Sequence, residues 1–207
     1  QLIELGIVAF SSAPFDAVSI DALAARAGIS KGLLYHYFAT KQAFYVAALR
    51  EAARQLHEEI ETDSNASPAA QLAAGLAKYF AFVERNGGGY MALLRSGSAV
   101  GEGADEVLEW SREEVLLRLI RGLGVDAPPP VLRIVLRGWI GLVEVACLEW
   151  LRTRPRADEE RVIDALVQAL LAAITATVTG DQPSSRATAT HAVQRSGHRG
   201  RREGERS

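Results

Sequence analysis

An all-α fold follows from the pattern of the 207-residue chain. Runs of β-branched residues bounded by turn signals, the mark of strands, are absent. From Pro68 onward, apolar residues recur three and four apart through successive segments, which is the spacing of amphipathic helices. An apolar content of 48% with 23% charged residues belongs to a soluble globular protein, and the length suffices to bury a real core.

The elements follow in order. Ile3, Ile7 and Phe10 share one face of a first helix, which Pro14 ends. Ser19 stands at the N-cap of "IDALAARAG", whose Ile20, Leu23, Ala24 and Ala27 line one side. Gly28 then stops that helix as a residue tolerant of positive φ. Ile29 fills the corner, and Ser30 caps a short third helix reaching about Phe38. Two short helices around a Gly-centred turn have the layout of a helix-turn-helix. Thr40 caps a fourth helix with apolar Phe44, Ala48 and Leu56, leading out of the small domain.

Beyond Pro68, "AAQLAAGLAKYFAFVERN" is expected to end at Gly87, Gly88 and Gly89, with a short "YMALLRSG" helix and a Gly-rich loop, "SGSAVGEGAD", after it. "EVLEWSREEVLLRLIRGLG", "VLRIVLRGWIGLVEVACLEWLRTRP" after the "APPP" break, and "EERVIDALVQALLAAITATV" complete about nine helices. The domains expected are 1–48 (helix-turn-helix), 49–180 (helical) and 181–207, a disordered basic tail. Residues 131–151 approach the length of a membrane span, but Arg133, Arg137, Glu144 and Glu149 argue against one. Small residues in the last helix (Ala165, Ala169, Ala172, Ala173 and Ala176) let a partner helix come close.

Charge is unevenly spread. Residues 1–50 hold four basic and three acidic side chains, 51–182 hold thirteen and twenty, and 183–207 hold six and two. All three acids of the first segment precede residue 26, so Arg26, Lys31, Lys41 and Arg50 form a basic island around "GISKGLLYHYFATK". A recognition helix needs cations at its flanks to hold phosphates, so that the base-facing side chains keep register. Lys31 and Lys41 supply them, and the N–H groups near Ser19, Ser30 and Thr40 lie at helix N-termini that favour anions. Gly32 permits close backbone approach, Tyr35 and His36 offer hydrogen bonds, Leu34 and Phe38 anchor inward, and Leu33 and Tyr37 face out.

From about Ile3 to Ala48, through "F…SIDALAARAGISKGLLYHYFATKQAF", the chain resembles the DNA-binding domain of the tetracycline-repressor (TetR) family of bacterial regulators. The resemblance implies a homodeomain-like three-helix reader and a C-terminal helical domain that binds ligand and dimerises. It implies that Ser19 is a phosphate-binding N-cap, that Lys31, Gly32, Tyr35 and His36 are recognition contacts, and that Lys41 holds phosphate. Three positions depart from the family pattern: Leu33 for threonine, Val18 for a hydroxyl residue and Ala39 for proline. Leu33 can touch a thymine methyl but cannot donate a hydrogen bond.

Nothing after residue 50 has the pattern of an active site. The glycine runs lack the strand-to-helix setting of a phosphate loop, His57 and Cys147 have no partners at metal spacing, and no serine sits in a nucleophile elbow. No catalytic residue, metal or cofactor is expected. Large side chains suit an apolar ligand pocket, with Tyr79, Phe82, Met91, Trp110, Trp139, Leu142 and Val143 as its candidates. Arg137 and Glu144 are either a buried polar pair at that cavity or part of a dimer seam.

The expected function is a ligand-responsive regulator, a repressor in most such cases. It binds double-stranded DNA at a palindromic operator as a homodimer, through helices at about 131–152 and 159–178, and a small, largely apolar inducer releases it. The alternative is a helical interaction protein or enzyme with a structural helix-turn-helix head. One cysteine permits no intrachain disulfide and suits the cytoplasm. The start at Gln1, with no leader pattern, suggests a trimmed N-terminus that would conceal any N-terminal arm.

Overall fold

The computed structural model describes residues 1–61, 65–96, 103–153 and 158–179, with the helix path alone at 87–96 and 178–179. The described residues form eight α-helices: α1 (Leu2–Ser12), α2 (Ile20–Arg26), α3 (Lys31–Tyr37), α4 (Lys41–Glu59), α5 (Pro68–Ser96), α6 (Ala104–Gly122), α7 (Pro130–Thr153) and α8 (Glu159–Thr179). A single 3₁₀ turn, Phe15–Ala17, joins α1 to α2. The tail, Gly97 to Glu102 of the Gly-rich loop and the Met91 side chain lie outside the described residues.

The count of about nine helices is corrected at one place. Gly87–Gly89 do not end a helix, because α5 continues without a break to Ser96 and absorbs the short helix expected after them. Glycine in a helix interior costs about 1 kcal/mol relative to alanine, whereas proline would remove a donor and clash. Long flanking runs of good helix formers carry the helix through. Pro68 sits at its first position, where no N–H is needed, and Ser67 Oγ accepts from the Ala70 N–H at 3.3 Å.

Two apolar cores stack along the molecule. Ile7 and Phe10 of α1, Leu23 and Ala24 of α2, Leu34 of α3 and Phe44 of α4 close the first. Phe10 meets Tyr45 edge-on with ring centres 4.9 Å apart, and Phe38 packs on Phe44 at 4.8 Å. Gly6 lets α1 cross α4 closely: a Cβ there would lie 2.8 Å from Phe44 Cζ. The second core joins Phe80 and Val83 of α5, Leu116 of α6, Leu136 and Trp139 of α7, and Leu166 and Leu170 of α8. Two helices belong to both. α4 contributes Phe44 to Ala53 to the first core and Leu56 to the second, while α6 contributes Ala104, Val107 and Leu108 to the first and Leu116 and Ile120 to the second.

The charges of α7 are all matched within the fold. Arg133 pairs with Glu113, Arg137 with Glu109, Glu144 with Arg112 and Glu149 with Arg152. No described helix is long and apolar enough to cross a membrane.

Candidate nucleic-acid interface and ligand cavity

The α2–α3 corner is set by hydrogen bonds that its sequence prescribes. Gly28 takes φ +70°, its N–H bonds to Ala25 O at 3.1 Å, and the Ile29 N–H reaches Ala24 O at 3.0 Å. That pair of bonds is a Schellman closure, with Ile29 tucked against the first core. Hydroxyls then cap three helices: Ser19 Oγ accepts from Ala22 N–H at 3.3 Å, Ser30 Oγ from Leu33 N–H at 3.1 Å and Thr40 Oγ1 from Ala43 N–H at 3.0 Å. Each stays exposed with its own O–H free to donate outward.

Leu34 is the anchor of α3, with no exposed surface, and Phe38 is half-buried beside it. The rest of the helix looks outward: Lys31, Gly32, Leu33, Tyr35, His36 and Tyr37 are all exposed, Tyr37 at 66%. Ala39 is exposed too, while Val18 is buried in the first core, which is why an apolar residue serves there.

The two lysines differ in their surroundings. Lys31 Nζ donates to Asp21 Oδ2 at 2.9 Å, and this hydrogen bond holds the ammonium pKa above its usual 10.5. Lys41 Nζ donates to the Asp16 carbonyl at 3.2 Å and lies 4.7 Å above the Phe15 ring. Neither of those partners carries charge, so the field of Lys41 is left for an external anion, whereas Asp21 offsets that of Lys31.

In the second core a cavity of about 320 Å³ opens between α4, α5, α6, α7 and α8. Its walls are mostly apolar, as in Leu72, Val115 and Ile140, with Ser111, Arg112, Arg118 and Glu144 as polar points. Tyr79, Trp139 and Val143 line it, as do Leu56 and Leu170. The Trp139 indole N–H is spent on the Leu166 carbonyl at 2.9 Å, so the ring offers the cavity an apolar face. The other candidates lie elsewhere. Phe82 borders a small cleft against Ile7 and Phe10, Leu142 is 47% exposed on the outside of α7, and Trp110 is exposed on α6 with its ring 5.4 Å from His57. Cys147 is buried, and burial pushes its thiol up to about 12, which keeps it protonated and unreactive.

Arg137 and Glu144 do not pair with each other. Seven residues along a helix is about 10.5 Å of rise, and each finds its partner across on α6 instead. Arg112 grips Glu144 through two N–H···O bonds of 2.8 and 2.9 Å.

Where α4 meets α6, His57 Nε2 lies 3.0 Å from Ser111 Oγ, its Nδ1 is buried without a hydrogen-bond partner, and its carbonyl accepts from Arg118. Burial, then the Arg118 charge, holds the His57 pKa below 6.5. Ser111 and Arg118 also line the cavity, so the α4–α6 contact and the cavity share side chains. Sequence spacing shows a stripe at Ser111, Val115, Arg118 and Gly122, but nothing in it reveals which neighbour the stripe faces. Among the described residues no cluster of His, Cys, Asp and Glu is arranged to hold a metal ion.

Two family models match the chain. Residues 2–48 match the bacterial regulatory proteins of the tetR family, and residues 68–173 match the tetracyclin repressor-like C-terminal domain. A tetR-family transcriptional regulator from Streptomyces coelicolor is 35% identical, with a TM-score of 0.80 over 87% of this chain and 82% of that one. A transcriptional regulator from Rhodococcus sp. shares the fold at 19% identity, with a TM-score of 0.70 over 84% and 94% of the two chains. FadR from Bacillus subtilis, solved with stearoyl-CoA, does so at 17% identity, with a TM-score of 0.61 over 84% and 97%. With a helix-turn-helix head, a helical body holding a cavity, and both family models matched along its length, the chain belongs to the TetR family of DNA-binding transcriptional regulators.

Proposed function

We propose that the protein is a cytoplasmic homodimeric repressor that binds an approximately palindromic operator and is released by a small, largely apolar inducer in the α4–α8 cavity. The observation that carries this reading is the double membership of α4 and α6. Leu108 of α6 is buried in the head, while Ser111, Val115 and Leu119, on the same helix, line the cavity. A ligand that repositions α6 therefore acts on the head through a packed element. It shifts the population between head spacings by its differential affinity for them. The complex of FadR with stearoyl-CoA is a precedent for a ligand with a long apolar chain in this fold.

Dimerisation through α7 and α8 is supported by an unpartnered apolar stripe. Val131, Ile134 (71% exposed), Leu142 and Val145 (63%) recur along α7, and Ala165, Ala172 and Ala176 lie exposed along one side of α8. Pairing two such faces makes a four-helix seam and sets two copies of α3 for major grooves about 34 Å apart. In this reading Ser19, Ser30, Thr40, Lys31 and Lys41 hold phosphates, while Gly32, Leu33, Tyr35, His36 and Tyr37 face the groove.

The test is fluorescence anisotropy with a palindromic duplex from beside the gene and a scrambled control. Binding should favour the palindrome and weaken steeply with salt, because each phosphate contact releases counterions. Binding indifferent to both sequence and salt rules the reading out.

A further inference from the structure

Among the described residues, three charged side chains border the cavity: Arg112, Arg118 and Glu144. Two of them cancel. Glu144 takes two donors of Arg112, Glu109 takes a third at 2.8 Å, and Arg137 closes onto Glu109, giving a neutral chain of two arginines and two glutamates. Arg118 stands outside it. Its terminal nitrogens reach the uncharged His57 carbonyl at 3.3 Å, and its nearest carboxylate among the described residues, Glu61, is 3.8 Å away and largely exposed. Among the described residues, the wall thus carries one arginine whose ion pair is a single loose contact to an exposed carboxylate, whereas Arg112 is held by a two-bond fork.

That charge discriminates between ligand classes. An apolar body filling the cavity strips water from Arg118, and a dehydrated guanidinium that keeps only a loose contact to the exposed Glu61 carboxylate is unfavourable. A cationic ligand adds repulsion, and Glu144, the one carboxylate on the wall among the described residues, is already held by the Arg112 fork. A carboxylate or phosphate instead matches the planar donors of Arg118. We infer that the effector is an anionic amphiphile, its apolar body in the cavity and its carboxylate or phosphate on Arg118. This rests on the cavity being the effector site. The placement also supplies a route to the head, since an anion drawing Arg118 toward itself weakens the hold of α6 on the His57 carbonyl of α4.

Calorimetric titration of the full chain with dodecanoate, dodecyl phosphate, dodecanol and dodecylammonium tests it. The two anions should bind about tenfold more tightly than dodecanol, as a charge-assisted hydrogen bond warrants, and the ammonium more weakly. The tighter of the two anions identifies the headgroup. Arg118→Gln should erase the preference while leaving dodecanol binding as it was, which also shows that the variant is folded, and Arg118→Lys should retain part of the preference. Equal binding of dodecanol and the anions, tightest binding of the ammonium, or a preference that survives Arg118→Gln overturns the inference and leaves the cavity as effector site. Failure of all four probes to bind overturns both.

Discussion

Gly32 separates two reasons for a glycine. Its φ is not positive, and a Cβ placed there would meet nothing nearer than Ser30 Oγ at 3.9 Å, so neither backbone nor packing demands it. Gly32→Ala should leave thermal stability equal or raise it by up to about 1 kcal/mol through helix propensity, while operator affinity falls because the methyl meets DNA. A variant that binds as well as the parent places the DNA surface elsewhere. Asp21 makes the converse case, an acid on the reading surface that neutralises Lys31. Asp21→Asn should tighten binding several-fold on palindromic and scrambled duplexes alike and steepen the salt dependence by about one phosphate contact. Lys41→Ala should weaken every sequence alike and lower the salt slope by about one. These residue types and their outward placement were readable from helical period and capping hydroxyls. The Asp21–Lys31 pair was not, because it joins different helices whose relative orientation no spacing reveals.

At the scale of the element, His57 reports on the α4–α6 contact. Its native pKa is depressed, so the unfolded chain takes a proton more readily. The stability from neutral His57 is therefore full above about pH 6.5 and is lost as pH falls through that value toward the lower native pKa. Urea midpoints should drop between about pH 7.5 and about pH 5.5, and drop less in His57→Gln, whose amide still meets Ser111 without charging. Parallel curves for both proteins show that other groups control this range. Helix starts and stops were legible wherever Ser, Thr, Pro or a positive-φ glycine marks them, as at Ser19, Gly28, Ser30 and Thr40. The glycines within α5 misled because intrinsic propensity is a small local penalty that a long helix outweighs. Trp110 and Leu142 stood among the cavity candidates beside Trp139, the favoured one, since hydrophobicity does not tell the inner face of a helix from an outer one awaiting a partner.

At the scale of the molecule, Ile134 tests the proposed seam. Replacing so exposed a side chain with glutamate should change subunit stability by no more than about 0.5 kcal/mol, yet sedimentation should show monomers and operator binding should be lost with the second head. A persistent dimer locates the interface elsewhere. In the sequence, capping signals and basic charge cluster before residue 50. That α6 packs into the first core was not legible, since Ala104, Val107 and Leu108 lie more than fifty residues beyond that cluster. This packing bears on engineering with such proteins. A reader excised at residue 48 would leave behind Leu49, Ala53, Ala104, Val107 and Leu108, and its open flank would be greasy rather than finished. Swapping operator preference between relatives is better done by exchanging the outward residues of α3 than by cutting and rejoining whole modules.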